Sequence, residues 1–216
     1  MKLLIVVPHP DDEVYGAAGT ILDFVAEGRT VGLITLTRGE KGRTLGLAAD
    51  PEELAALRAG PGGELQSCLE VLGVQLHRQY TYPDGGLKNV DAEELTQLVH
   101  AALEELRPEI VLTFPPNGAN GHPDHVATSR VVREAFARAG QPCTLWYYAG
   151  TPPEDPALLE TYLPPTVERD VTHHIATKLR AISMHRSQAL STVDFLRRYA
   201  ERITHETFHQ AYPPLD

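Results

Sequence analysis

Two hydrophobic patterns alternate along the chain. Short unbroken apolar runs, of which Leu3-Leu4-Ile5-Val6-Val7 is the first, are separated by stretches in which apolar residues recur at spacings of three and four. Unbroken runs bounded by breakers are buried strands, and the longer period gives helices with one core-facing stripe. On this basis residues 2–7 are a strand, and residues 13–27 a helix with Ala17, Ala18, Ile21, Leu22 and Val25 on its apolar face and Gly28 at its end. Residues 30–37 are a second strand. Residues 38–63 are irregular and glycine-rich, with a short helix at 51–59, and residues 64–72 are a helix stopped by Gly73. A third strand at 75–82 runs into the turn Pro83-Asp84-Gly85-Gly86. Asp91 caps a helix that continues to Leu106 and ends before Pro108. Strand 109–114, loop 115–121, helix 123–139 and strand 143–149 follow. This β-α alternation predicts an α/β fold, a mostly parallel sheet layered between helices. Residues 150–216 read as a C-terminal extension of the same domain, with a proline-rich start, a strand at 167–172 and two helices near 175–187 and 192–204.

Composition narrows the function. The 216 residues suffice for one good core. The net charge is -10 and no basic run exists, which argues against nucleic acid and anionic membranes as partners. The first apolar run breaks at Pro8, too short for a signal-peptide core or a membrane span, so the cytoplasm is expected. Cys68 and Cys143 lack metal-site or disulfide-framework spacing and are expected to be small buried hydrophobes. Nothing in the composition opposes a homo-oligomer.

The chemistry lies where two strands end. His9-Pro10-Asp11-Asp12-Glu13 follows the first run directly, and His122-Pro123-Asp124-His125 follows the fourth strand after one loop. Ligands of open α/β sheets bind beyond the carboxyl ends of the strands. Three carboxylates in one tight turn repel one another unless a cation intervenes. His9 and Asp12, like His122 and His125, are three residues apart at a helix start and share a helix face. Two imidazoles and one carboxylate suit a catalytic zinc, and leave Asp11 and either His122 or His125 for proton transfer and oxyanion stabilisation. Carboxylates entering a helix also act as caps. That explains either cluster alone, but not both in matching contexts.

Pro8-His9-Pro10-Asp11-Asp12-Glu13, Pro83-Asp84-Gly85-Gly86-Leu87 and Gly121-His122-Pro123-Asp124-His125 together resemble the LmbE/PIG-L family of zinc-dependent N-deacetylases. Leu72-Gly73-Val74 and His185-Arg186-Ser187-Gln188 extend the likeness over most of the chain. The resemblance implies a Rossmann-like fold and removal of acetyl from an N-acetylglucosamine conjugate, such as N-acetylglucosaminyl-malate in bacillithiol synthesis. It assigns His9, Asp12 and His125 as ligands of Zn2+, with Fe2+ an alternative ion. Asp11 becomes the general base, protonated His122 the oxyanion-stabilising residue, and Asp124 the group that orients His122. The substrate would be a small soluble N-acetylated amino sugar. Many relatives carry an arginine where this chain has Pro61, so Arg58 or Arg43 is expected to meet the substrate instead. Asn120 stands where some relatives have tyrosine, and Asp84 and His185 complete the expected substrate contacts.

Competing readings remain distinct. His205-Glu206-Thr207-Phe208-His209 matches H-E-x-x-H, the helix of zinc peptidases, but only seven residues follow for a third ligand. Two histidines and a carboxylate also describe iron(II) oxygenases, which usually adopt antiparallel β folds. A sugar- or nucleotide-binding module is the non-enzymatic alternative, although no G-x-G-x-x-G follows the first strand. Asp84 also suits a plain turn, His173-His174 a surface, and Trp146-Tyr147-Tyr148 strand core or a sugar-stacking wall.

Overall fold

The computed structural model describes residues 1–215. Seven strands form one sheet: β1 (Leu3–Val7), β2 (Val31–Thr37), β3 (Leu76–Tyr82), β4 (Ile110–Thr113), β5 (Thr144–Tyr148), β6 (Val167–Asp170) and β7 (His205–Tyr212). Their order is β3-β2-β1-β4-β5-β7-β6. The first five run parallel, and β7 lies antiparallel between β5 and β6.

The unbroken apolar strands are explained by burial on both faces. Leu3, Ile5 and Val7 of β1 enter one core, while Leu4 and Val6 enter the other. The first core receives α1 (Asp12–Ala26), α3 (Glu64–Leu72) and α7 (Ile175–Met184); the second receives α4 (Ala92–Leu106) and α5 (Pro123–Arg138). The expected three-layer arrangement is therefore observed. Three further helices, α2 (Pro51–Ala59), α6 (Pro156–Leu159) and α8 (Ala189–Arg198), lie in the connections. Strand order reverses at β1, which pairs with β2 on one side and β4 on the other. The loops after β1 and β4 thus flank one crevice, the place where such sheets bind ligands.

The carboxyl-terminal segment departs most from expectation. Helix 192–204 is instead α8 followed by a short 3-10 turn at Ala200–Ile203. The HETFH segment is not a helix but the start of β7. Its alternation is that of a strand: Glu206 and Phe208 point inward, and Phe208 stacks on Trp146 at 5.1 Å. Histidines four apart meet on one helix face only, so the peptidase reading falls. The strand was hidden because one inward position holds a glutamate.

Glu206 survives burial because its charge is fully met. Lys178 Nζ donates to it at 2.5 Å, and the Gly19 and Thr20 amides and the Thr20 hydroxyl donate at 2.7–2.8 Å. Burial pulls the Lys178 pKa down, and Glu206 opposes that pull. The pair ties α7 and β7 to α1. We predict that Lys178→Met lowers stability in denaturant titration by about 3–5 kcal/mol, since it strands a buried carboxylate. Lys178→Met with Glu206→Leu should recover much of that loss. His209, whose ring stacks on Tyr147 with centroids 6.3 Å apart and whose Nδ1 meets the Pro164 carbonyl at 2.8 Å, should tolerate alanine without loss of turnover.

Candidate active site

Beyond Val7 the chain turns sharply, and Asp11 adopts φ 97°, a left-handed conformation disfavoured for a side-chain-bearing residue. Its amide donates to Glu13 Oε2 at 2.9 Å, which holds the turn. The turn sends adjacent carboxylates to different partners. Asp11 Oδ2 faces the Arg58 guanidinium at 3.2 Å. Asp12 lies between two imidazoles, with Oδ2 at 3.2 Å from His9 Nδ1 and Oδ1 at 3.3 Å from His125 Nε2.

His125 is fixed from behind. Its Nδ1 meets the Gly118 carbonyl at 3.1 Å, which leaves Nε2 facing Asp12. Its ring stacks on Phe114 with centroids 3.8 Å apart. Gly118 has φ +71°, and a Cβ there would lie 2.9 Å from the His125 Cβ, so this loop position requires glycine. His9, His122 and His125 converge, with the His122 ring 4.9 Å from both others.

Electrostatics separates the two aspartates. Burial pushes the Asp11 carboxyl up to about 6, against the pull of Arg58 and with the repulsion of Asp12. Burial opposes charge on Asp12 as well, but His125 and His9 hold its carboxyl far below the ordinary range. For His9, burial disfavours the charge, yet hydrogen bonds to the Asp12, Asp124 and Asp84 carboxylates outweigh it and raise the pKa well above the usual imidazole value. Three carboxylates around one imidazole form an environment that calls for a cation. The donor set of imidazole nitrogens and carboxylate oxygens fits a divalent transition metal.

Several site residues take positions other than those expected. Asp124 does not orient the His122 side chain. Its carboxylate accepts from the Gly85 and Leu87 amides at 2.6 and 3.1 Å and contacts His9 Nε2 at 3.3 Å. The link to His122 runs through the backbone: the Asp124 amide donates to His122 Nδ1 at 3.2 Å, so His122 caps α5. Asp84 likewise supports His9, at 3.2 Å, rather than facing a sugar, because the Gly85-Gly86 turn folds it inward. Arg58 is buried, donating to the Gly39 and Pro10 carbonyls at 2.7 and 2.5 Å. Arg43 is exposed, and its carbonyl accepts from Gln188 at 3.0 Å. His185 is wholly buried, with Nε2 at 2.7 Å from Glu13 Oε1. Cys68 is more than a hydrophobe, since its thiol meets the same Glu13 oxygen at 3.3 Å. Asn120 lies on the wall of the adjoining cavity.

That cavity, of about 220 Å³, opens beside Asp12 and His125 and is lined by Tyr15, Phe114, Tyr148, Tyr162, Tyr199 and Arg202 among others. Tyr148 is thus both strand core and cavity wall. Arg202 and Tyr199 were missed by sequence reasoning, because nothing in their local pattern links them to the two H-P-D motifs earlier in the chain.

The PIG-L family, described as GlcNAc-PI de-N-acetylase, matches residues 4–136. The chain belongs to the PIG-L family. PIG-L deacetylases are metal-dependent, in keeping with the donor set here. A relative from Bacillus anthracis, described as a probable N-acetyl-alpha-D-glucosaminyl L-malate deacetylase 2, is 36% identical over 94% of this chain and 88% of its own length. A Mycolicibacterium gilvum 1D-myo-inositol 2-acetamido-2-deoxy-alpha-D-glucopyranoside deacetylase is 35% identical over 69% of this chain, which spans 59% of that relative. A conserved protein of Thermus thermophilus superposes with a TM-score of 0.77, at 30% identity, covering 100% of this chain and 97% of its own. The N,N'-diacetylchitobiose deacetylase of Pyrococcus horikoshii shares the fold, with a TM-score of 0.75 at 24% identity over 97% of this chain and 83% of its own. The PIG-L sheet accounts for the parallel strands and removes the oxygenase reading with its antiparallel expectation. Among the described residues, no helix is long and apolar enough to cross a membrane.

The separation of Asp11 from Asp12 yields a test. Asp11→Asn should keep its metal, measured by elemental analysis of the purified protein, and lose about 10²–10⁴-fold in kcat. Asp12→Ala should lose metal as well as rate. Glu13→Ala, which strands the buried His185, should lower stability by about 3–5 kcal/mol.

Proposed function

We propose that this PIG-L protein hydrolyses the acetamide of an N-acetylglucosaminyl conjugate, with His9, Asp12 and His125 holding Zn2+ and N-acetylglucosaminyl-malate as the favoured substrate. The observation that carries the reading is the convergence of His9 and His125 on Asp12 with Asp11 alongside. The extensive match to the Bacillus anthracis relative supports the malate conjugate. Residues 1–216 act as one catalytic unit in this reading, because α7 and β7 brace α1, which begins at Asp12.

A divalent ion bound there would polarise the acetamide carbonyl and lower the pKa of a coordinated water. Asp11, a carboxyl near 6, accepts the proton of the attacking water at neutral pH. The Arg58 guanidinium keeps that carboxylate aligned. His122 supplies a hydrogen bond to the developing oxyanion. Its Nδ1 accepts from the Asp124 amide, so the ring proton sits on Nε2. Burial and the neighbouring His9 and His125 hold its pKa below the usual imidazole value. Asp124 and Asp84 keep His9 in place. The departing amine takes its proton from Asp11, and acetate and a free amino sugar result.

A panel of N-acetylglucosaminides, assayed for released amine and acetate, tests this reading. Equal amounts of both products are expected from the malate conjugate. Removal of metal by a chelator should abolish release, and added Zn2+ should restore it. Metal-independent turnover, or no amine from any N-acetylglucosaminide, would refute it.

A further inference from the structure

The cavity beside Asp12 and His125 has a wall that the hydrolytic chemistry does not use. Arg202 stands on it as the only lysine or arginine among the lining residues. Its guanidinium lies over the Tyr199 ring, 5.3 Å from the centroid, and donates to the Ala149 carbonyl. Among the described residues it forms no ion pair. The acidic groups nearest in effect are Glu201 and Glu206, and Glu206 is already committed to Lys178, Gly19 and Thr20. A largely buried guanidinium without a carboxylate partner is unusual, because desolvated charges are ordinarily paired.

Two neighbouring features show the same incompleteness. Tyr148, on the same cavity, has a buried hydroxyl with no hydrogen-bond partner. A Cβ on Gly150 would lie 1.7 Å from the Arg202 guanidinium, so the absent side chain there lets the arginine lie along the wall. Tyr162 fixes that stretch by donating to the Gly150 carbonyl at 2.6 Å.

We propose that Arg202 is the specificity-determining residue of this site and receives a carboxylate carried by the aglycone. The inference rests on the deacetylase reading, which puts the acetamide at Asp12 and His125 and directs the rest of the substrate along the same cavity. A planar guanidinium matches a carboxylate in a two-pronged hydrogen bond. A phosphate dianion would call for more cationic neighbours than one arginine supplies.

The test compares four substrates on the metal-loaded enzyme: the N-acetylglucosaminide of malic acid, the same glycoside as its diamide, the methyl glycoside, and N-acetylglucosamine 1-phosphate. With wild-type protein the diamide should show a KM about 10–100-fold above that of the diacid, with kcat little changed. Arg202→Met should erase that difference while keeping turnover of the methyl glycoside, and Arg202→Lys should fall between. Equal treatment of diacid and diamide by wild type, a comparison that needs no variant, would overturn the proposal. So would an equal loss on all substrates in Arg202→Met. Preference for the 1-phosphate over the diacid would overturn the carboxylate assignment. If wild type deacetylates none of them, the deacetylase reading fails, and calorimetric binding of glucosaminyl-malate decides the role of Arg202 alone. Tighter binding to wild type than to Arg202→Met supports it, and equal or absent binding refutes it.

Discussion

Three carboxylates, Asp12, Asp84 and Asp124, press on the single imidazole of His9 at contacts of 3.2–3.3 Å. They come from three separate parts of the chain: the turn after β1, the turn after β3 and the start of α5. Such crowding of like charge in a mostly buried place is stable only around positive charge. Those carboxylates raise the His9 pKa well above the usual imidazole value, which favours a proton there. The same arrangement is ready to exchange the proton for a cation, since metal binding and protonation compete for the same nitrogen. Sheet topology makes the meeting possible, because β1 and β4 are neighbours at the reversal of strand order.

Around this centre the protein assigns adjacent, chemically identical groups to different work. The left-handed turn at Asp11 sends its carboxylate to Arg58, while Asp12 stays between the histidines. Burial then raises one carboxyl to about 6, while His125 and His9 hold the other far below the ordinary range. Behind them, Glu13, His185 and Cys68 form a buried polar cluster that braces the first turn of α1. The C-terminal segment therefore contributes twice: His185 supports the centre, and Arg202 shapes the cavity beside it.

The parallel strands and their helices were legible because the inner parallel strands β1, β2, β4 and β5 are largely apolar on both faces, and because caps and glycines mark helix ends. The two H-P-D clusters were legible because their residue types fall in matching strand-to-helix contexts. The supporting roles were not. Asp124 and Asp84 read as an orienting group and a sugar contact, yet both turn to His9, a choice made by the backbone of the Gly85-Gly86 turn. Arg58 seemed a substrate residue, yet its guanidinium is taken up by the Gly39 and Pro10 carbonyls and the Asp11 carboxylate. β7 escaped because Glu206 fills an inward position, and its partner Lys178 lies 28 residues away. Contacts across such separations leave no periodic trace in sequence.

The central claim is that this crowd of carboxylates exists to hold one cation between His9, Asp12 and His125. Anomalous diffraction at the zinc edge, from crystals of the metal-loaded protein, tests it most directly. The account predicts one strong peak within bonding distance of those three side chains, with Asp11 and Asp124 outside it. A peak held instead by His9, Asp84 and Asp124, or none at full loading, would contradict it.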